Sequence, residues 1–432
     1  MKKRSAFPFL NLILILFVIT SCADKQESDS LSERISKNSD IEFVKKKATE
    51  IVASGFNAGD SYSEVWIRDY ATFIELAMEV HDHDVIKENL RIFFRFQGED
   101  GGIVDGFRPK VEGAGGYEYI YSDLEPDLMA HKNTVETDQE ASLIHAVYKY
   151  VKRSGDRDFL NETIDGMTIA ERMEKSVDFL MNERFSEKYG LIFGATTTDW
   201  GDVQPEHEWG VFITDDTHFA VDVYDNAMFM IMLDNLAELV PDMAGEMNEI
   251  HSMISENTME HLWSEEKEQF VPHRYLDGSP FPDDFDEDNI YQHGGTAVAI
   301  EAGLLTKEQV RGALQRMREN VEAANASSIG LTLYPPYPEG YFLNEGMYPY
   351  GYQNGGDWTW FGARMIQQLI RYGFVEEAYE EFLPFIDRVV ENDGFYEWYT
   401  PDNQPMGSGT FRGSAGVLYT CIEMFEEWSA NQ

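Results

Sequence analysis

Two cysteines, Cys22 and Cys421, are the only thiols in 432 residues. A disulfide scaffold is excluded, so packing must hold the fold. Positive charge is scarce as well: 34 Lys and Arg stand against 78 Asp and Glu, a formal net charge of −44. Nucleic acids are bound by Lys and Arg that displace phosphate counterions, so such partners are excluded. The surplus of acid serves solubility instead. The ten histidines show no HExxH or similar metal spacing, and no glycine loop fit to cradle phosphate or G-x-S-x-G elbow occurs. The acidic run "DDFDEDN" at 283–289 lacks the glycine and glutamate of an EF-hand and is expected to be a solvated loop. No metal and no cofactor are expected.

Strand alternation is also nearly absent, and no fixed repeat period is found, which counts against an open solenoid of helix pairs. What fills the chain from about Ile41 onward is helix. Twelve stretches carry apolar residues at helical spacing, from "IEFVKKKATEIVAS" to "GSAGVLYTCIEMFEEWSA". Several begin at Ser, Thr or Asp and stop at Gly, as caps require. His145 and His218 fall within these patterns, and the methionines of "NAMFMIML" belong to the core. Short turns alternate with long loops rich in Gly, Asp, Tyr and Trp. Loops of that length in a compact domain are usually functional. Paired helices joined alternately by short and long connections predict an all-α (α/α)6 barrel, with the long loops gathered at one end around a cleft.

Only one long apolar run is present, and it lies at the very start. "MKKRSAFPFLNLILILFVITSC" has a basic start, an apolar stretch and small polar residues before Cys22, the pattern of a secretory signal rather than a spanning helix. It resembles a bacterial lipoprotein signal, which implies lipidation of Cys22. The chain is therefore expected on the bacterial outer membrane, facing the periplasm or the cell surface, held by its N-terminal lipid anchor alone. The polar, Ser-rich residues 23–40 are expected to be a flexible tether of about 18 residues, and 41–432 the folded domain.

Aromatic residues make up 13% of the chain, with 8 Trp and 22 Tyr, and the long loops hold most of the Trp beside carboxylates. Acid–base chemistry by carboxylates needs one that stays protonated and one that stays ionised. In "TTTDWGDVQPEHEWG", Asp202 follows Trp200 and Gly201, and an adjacent indole raises a carboxyl's pKa. Asp199 is the rival acid within that motif; a loop or cap aspartate is the plainer reading of either. In "FYEWYTPDNQPMG", Glu397 is wrapped by four aromatic residues, or is a buried glutamate held by Tyr hydroxyls or Arg412. In "EVWIRDYATF", Arg68 and Asp69 form an ion pair or hold sugar hydroxyls, with Trp66 as a stacking wall. In "YQNGGDWTWFG", Gln353, Asn354 and Trp358 offer amides and an indole, although Asn-Gly is also turn chemistry.

These stretches, in this order, resemble the amylo-α-1,6-glucosidase domain of glycogen-debranching enzymes and glycoside hydrolase family 63. "WIRDYATFIEL", "TVETDQEASLIHAVYKYVKRSGD", "TDWGD", "VDVYDNAMF", "YQNGGDWTW" and "FYEWYTPDNQPMGSGTFRGSAG" carry the likeness over nearly the whole chain after residue 40. The resemblance implies an inverting glycoside hydrolase that removes a terminal α-linked sugar from an oligosaccharide or polysaccharide. Asp202 would be its general acid and Glu397 its general base. Arg68, Asp69 and Trp358 would hold the terminal sugar, with Asp138 at the matching acid of the next helix and Asp199, Trp200, Gln353 and Asn354 close by. "EHEWG" after the acid motif has no counterpart in that pattern, which leaves Glu206 and Glu208 as further acid candidates. "YQNGGD" departs from the family's tryptophan–proline run, so a substrate other than glucan is open. Two alternatives are a uronyl hydrolase or lyase on the same barrel, disfavoured by the acidic loops, and a non-catalytic glycan-binding lipoprotein.

Overall fold

A computed structural model describes residues 30–432. The predicted signal peptide, Cys22 and the first residues of the tether lie outside them. The helices in chain order are Leu31–Lys37 (α1), Ser39–Ala53 (α2), Ile67–Val80 (α3), His83–Arg95 (α4), Gln139–Ser154 (α5), Ile169–Glu183 (α6), Val223–Leu239 (α7), Ala244–His261 (α8), His293–Glu301 (α9), Lys307–Ala324 (α10), Thr359–Arg371 (α11), Val375–Asn392 (α12) and Arg412–Ala430 (α13). All twelve expected helices form. Their ends follow the caps in the sequence: Thr168 with Glu171 and Thr306 with Gln309 make capping boxes, and Gly155 ends α5 at a φ of 75°.

Six helices form a closed inner ring. α3 packs on α5, α5 on α7, α7 on α9, α9 on α11, α11 on α13, and α13 returns to α3. α2, α4, α6, α8, α10 and α12 lie outside them. The chain is thus an (α/α)6 barrel, and the closure excludes the solenoid. Burial follows position. α9 is buried from His293 through Ile300, with neighbours on every side. α10 buries only Val310, Ala313, Leu314, Met317 and Asn320, one stripe at helical spacing.

Two expectations are corrected. The segment 23–40 is not a flexible tether throughout. Leu31–Lys37 is helical, opened by a Ser30–Glu33 capping box, with Ile35 buried. It is joined to the far end of the chain by the Arg34–Glu376 ion pair and by the Ser32–Ser429 hydroxyl bond of 2.6 Å. A single buried isoleucine among polar residues leaves too weak a periodicity to show this in sequence. The helix expected from Thr217 begins only at Val223, because Phe219–Val221 pairs with Gly194–Ala195 and Arg274–Tyr275 as a short strand.

The long loops leave the N-terminal ends of the inner helices. They contain a four-stranded sheet in the order Val65–Trp66, Gly106–Pro109, Leu128–His131, Tyr119–Ile120. A second apolar cluster, including Val203, Phe281, Leu333 and Tyr337, packs them together. Glu287, in the loop expected to be solvated, accepts hydroxyl bonds from Tyr337 at 2.7 Å and Tyr275 at 2.8 Å. That stretch is therefore partly a buried hub. Among the described residues no helix is long and apolar enough to cross a membrane.

Ring closure depends on one close approach. A Cβ on Gly416 would stand 2.5 Å from Phe73 Cα and 2.7 Å from the Thr72 carbonyl oxygen. Alanine normally favours a helix over glycine by about 1 kcal/mol. Here the clash is with backbone, which cannot rotate away, so overpacking of about 1–3 kcal/mol should win. Gly416→Ala is expected to lower the thermal midpoint, whereas the same change at Gly312, where a Cβ meets nothing, is expected to raise it; differential scanning calorimetry checks both.

Candidate active site

A cavity of about 490 Å3 opens where the six inner helices present their N-termini. Arg68 and Asp69 lie in the first turn of α3 and form its floor. Trp66 precedes them and packs against Tyr62, ring centroids 4.6 Å apart. Trp358 comes from the residue before α11, and Trp200, Asp202, Gln353 and Glu397 from the long loops. Asp202, Glu397, Trp66, Arg68, Asp69, Trp200, Gln353 and Trp358 are therefore brought together from separate parts of the chain.

Asp202 is fixed through its backbone. Its N–H donates to Gln353 Oε1 at 3.1 Å, and its carbonyl accepts from Asn133 Nδ2 at 2.9 Å. The side chain is less constrained: Oδ2 accepts from the Tyr352 hydroxyl at 3.4 Å, and Oδ1 is buried without a partner. Burial raises its pKa, with the charge of Arg68 acting against the rise. A carboxyl so placed is shifted toward its protonated form and has one oxygen free of protein partners.

Glu397 sits on a hairpin in which Trp398–Tyr399 pairs with Pro405–Met406. Its Oε2 accepts from the Tyr62 hydroxyl at 2.6 Å and from the Ser408 N–H at 3.2 Å. Burial raises its pKa, while those two donors favour the ionised form. Gly407, at a φ of 71°, makes the fit possible, since a Cβ there would lie 2.4 Å from Oε2. Arg412 is not the partner of Glu397: it bonds Asn57, Ser54 and the Ile51 carbonyl, and so fastens α13 to the end of α2.

Three residues expected to touch a ligand stand behind the cavity wall instead. Asp138 grips Arg68 with both oxygens, at 2.8 and 2.9 Å, and accepts from Tyr224 at 2.6 Å. Asp199 accepts from the Gly294 and Gly295 N–H groups at 2.7 and 2.6 Å, at the N-terminus of α9. Both of its oxygens are occupied, so it is no rival to Asp202; it holds the turn, at its own φ of 54°, that presents Trp200 and Asp202. Asn354 spends its amide on Tyr337 and Met347 backbone. Glu206 pairs with His218 at 2.7 Å and Glu208 is exposed, and neither lines the cavity.

Other residues of the site were not singled out in the sequence, although Tyr352 opens the stretch "YQNGGDWTWFG". Tyr62, Asp105, Tyr117, Glu136 and Tyr352 all line the cavity. Glu136 lies 3.1 Å from Arg68 and shares the stretch "TVETDQEA" with Asp138, the one signal that could have found it. With Asp69, Asp202 and Glu397, the cavity holds five carboxyl groups around one guanidinium. Burial raises the pKa of each of them, and Asp105 reaches about 7. Among the described residues no group of three or more His, Cys, Asp or Glu is placed to hold a metal ion.

Ring closure, helix pairing and a loop-built acidic cavity define an (α/α)6 barrel. Solved structures of that fold are similar to it. A GH63 mannosylglycerate hydrolase from Thermus thermophilus in complex with glucose has a TM-score of 0.63 at 18% identity, over 87% of this chain and 100% of that one. The same hydrolase in complex with Tris and D-glycerate gives 0.61 at 16%, over 87% and 99%. A rhamnosidase from Klebsiella oxytoca with rhamnose bound gives 0.56 at 14%, over 90% of this chain and 64% of that one. No protein-family profile matches the chain, and no curated protein matches it.

The carboxyl crowding has a consequence for stability. The folded-state pKa of Asp105 is raised from 3.8 to about 7, so its contribution is complete below about pH 4 and is lost as pH rises through 7. The melting temperature of the wild type is expected to fall between pH 5 and pH 8. Asp105→Asn should flatten that fall, whereas Asp84→Asn, at an exposed position, should leave it unchanged.

Proposed function

We propose that this chain is a glycoside hydrolase that removes a terminal α-linked sugar from an oligosaccharide with inversion of configuration. One observation carries the reading. Asp202 and Glu397, from loops almost two hundred residues apart, face one cavity, and the Asp202 carboxyl is close enough to help raise the pKa of Glu397. Asp202 has an oxygen free, and Glu397 is turned by Tyr62 and Ser408. The glycoside hydrolases of like fold support the same reading.

In this mechanism Asp202 gives its proton to the glycosidic oxygen as the bond from that oxygen to the anomeric carbon breaks. A water attacks the opposite face, and Glu397 takes its proton. The sugar leaves with a new hydroxyl of inverted configuration, and the leaving group departs as an alcohol. Inversion requires the two carboxyls to stand roughly 6.5–9.5 Å apart to admit the water. Arg68 and Asp69 hold the terminal sugar on the floor, where the buried Oδ1 of Asp69 has no protein partner. An indole wall from Trp66 and Trp358 gives its apolar faces something to lie against.

The charge of the site narrows the substrate. The one arginine of the cavity is already held by Asp138 and Glu136. An anionic ligand would meet carboxyl groups without a free cation. A carboxylated leaving group such as glycerate, and the uronic acids of uronyl hydrolases and lyases, are therefore disfavoured against neutral sugars.

Sugar release from a panel of α-linked disaccharides, followed by NMR of the anomeric proton, tests the mechanism. The wild type is expected to release the β-anomer. Asp202→Asn and Glu397→Gln should each lower kcat by about 10²–10⁴-fold with folding intact. Release of the α-anomer, or activity that survives Asp202→Asn, would overturn the assignment.

The chain is further proposed to be a lipid-anchored protein of the outer membrane, with Cys22 as the acylated residue. In cells, the protein should partition into detergent and incorporate labelled palmitate, and Cys22→Ser should end both.

A further inference from the structure

The segment "EHEWG" at 206–210 is not used by the mechanism above, and yet it is built with care. The Gln204 N–H donates to the Gly210 carbonyl at 2.9 Å and closes the loop. The Trp209 and Gly210 N–H groups donate to His207 Nδ1 at 3.1 and 3.2 Å. Glu206 is tied to His218 through both its ring and its backbone N–H. A second rim loop is laced to the first: the Leu343 N–H donates to the Pro205 carbonyl at 3.0 Å, and Asn344 Nδ2 to the Trp209 carbonyl at 3.5 Å.

This scaffold holds an indole out of the core. Trp209 is 47% exposed although it lines the cavity, whereas Trp200 and Trp358 deeper in the same cavity are 1% and 2% exposed. Tyr348, 44% exposed, and Met406, 36% exposed, share the rim. The indole edge is set by Tyr117 at 6.1 Å and 69°, and Tyr117 in turn stacks on His131 at 3.9 Å. Leaving a large apolar ring half in water gives up burial free energy that a loop fixed this firmly could have recovered. Exposed apolar groups held in that way around a cleft mark a binding surface.

The occupant follows from position. The floor at Arg68 and Asp69 takes the terminal sugar, so the rim faces what is attached to it. A cavity of about 490 Å3 lies within the range of about 300–1,000 Å3 for sites of drug-sized ligands, a disaccharide rather than a lone hexose. Trp209 follows the acid Asp202 by seven residues, and Asp202 protonates the oxygen on the leaving side. The carboxylates of the loop stand clear of the ligand, since Glu206 is paired with His218 and neither it nor Glu208 lines the cavity. We propose that Trp209, presented by the 206–210 loop, is the stacking platform for a neutral pyranose ring on the leaving-group side, and so determines that the substrate is a disaccharide or longer. This rests on the glycosidase reading of the cavity.

The test compares wild type, Trp209→Ala and Trp209→Phe, as the full chain, on maltose, isomaltose, nigerose and α-1,3-mannobiose and on the matching glycosyl fluorides, which carry no second ring. The ratio of kcat/KM on the best disaccharide to that on its fluoride is expected to fall at least about tenfold in Trp209→Ala, through KM, and to be largely restored in Trp209→Phe. An equal loss on both substrates would show a merely structural loop and overturn the proposal, as would no loss on either. Calorimetric binding of the same disaccharides separates this result from the parent reading. If none is cleaved but Trp209→Ala weakens disaccharide binding tenfold and leaves glucose binding unchanged, the platform stands and the hydrolase reading falls.

Discussion

The bidentate pair of Arg68 and Asp138 is the interaction on which the site rests. It is buried, and a buried ion pair is costly unless its remaining hydrogen-bonding capacity is used. Here it is used: Tyr224 donates to the carboxylate, while the guanidinium also reaches Glu136 and the Trp200 carbonyl. Four segments therefore meet at one charge: the first turn of α3, the cap of α5, the first turn of α7 and the loop of Trp200 and Asp202. Removing either partner would leave an uncompensated charge at the barrel axis and free all four at once. The same side chain faces a small axial hollow of about 30 Å3 below the floor, lined also by Lys149, Glu301 and Arg364. It is thus the partition between an acidic mouth and a polar interior.

A second buried pair, Arg388 with Asp357 at 2.6 Å, does the corresponding work beside the Glu397 hairpin. Asp357 and Tyr399 exchange backbone hydrogen bonds at 2.9 and 2.8 Å, and the Arg388 guanidinium lies 4.2 Å over the Tyr399 ring. Trp358 and the Glu397 hairpin are consequently one unit. Asp202 and Glu397 are each carried on a loop that is irregular in path but anchored by a buried charge pair; Val203 of the first loop packs in the second apolar cluster, while Phe395, Trp398 and Phe411 of the other belong to the main core. Rigid positioning by such supports is what carboxyl catalysis at a fixed separation demands.

Most helices were legible because they repeat apolar residues at helical spacing, several between recognisable caps, and α7 and α9 because they are apolar nearly throughout. Their arrangement was legible from the alternation of loop lengths. α1 was not, since one buried isoleucine makes no period. At the site, residue type and motif singled out loops that the fold brings to one cavity, yet spacing along a chain does not tell which side of a loop a side chain takes. Asp199 and Asp202 are three apart in one turn; one bonds the start of α9 and the other faces the cavity. Asp138 and Asn354 likewise proved to be supports. Tyr62 and Asp105 stand alone in loops without a motif, and only the folded arrangement brings them to Glu397 and Asp202.

The inner helix α13 begins at the cavity and ends beside α1, where Ser429 meets Ser32. Its nineteen residues at about 1.5 Å each place the point where the described chain starts about 28 Å from the mouth, at the opposite pole of the barrel. Whatever is joined to the chain at Ser30 is therefore joined at the base of the barrel, and the approach to the opening does not cross that junction.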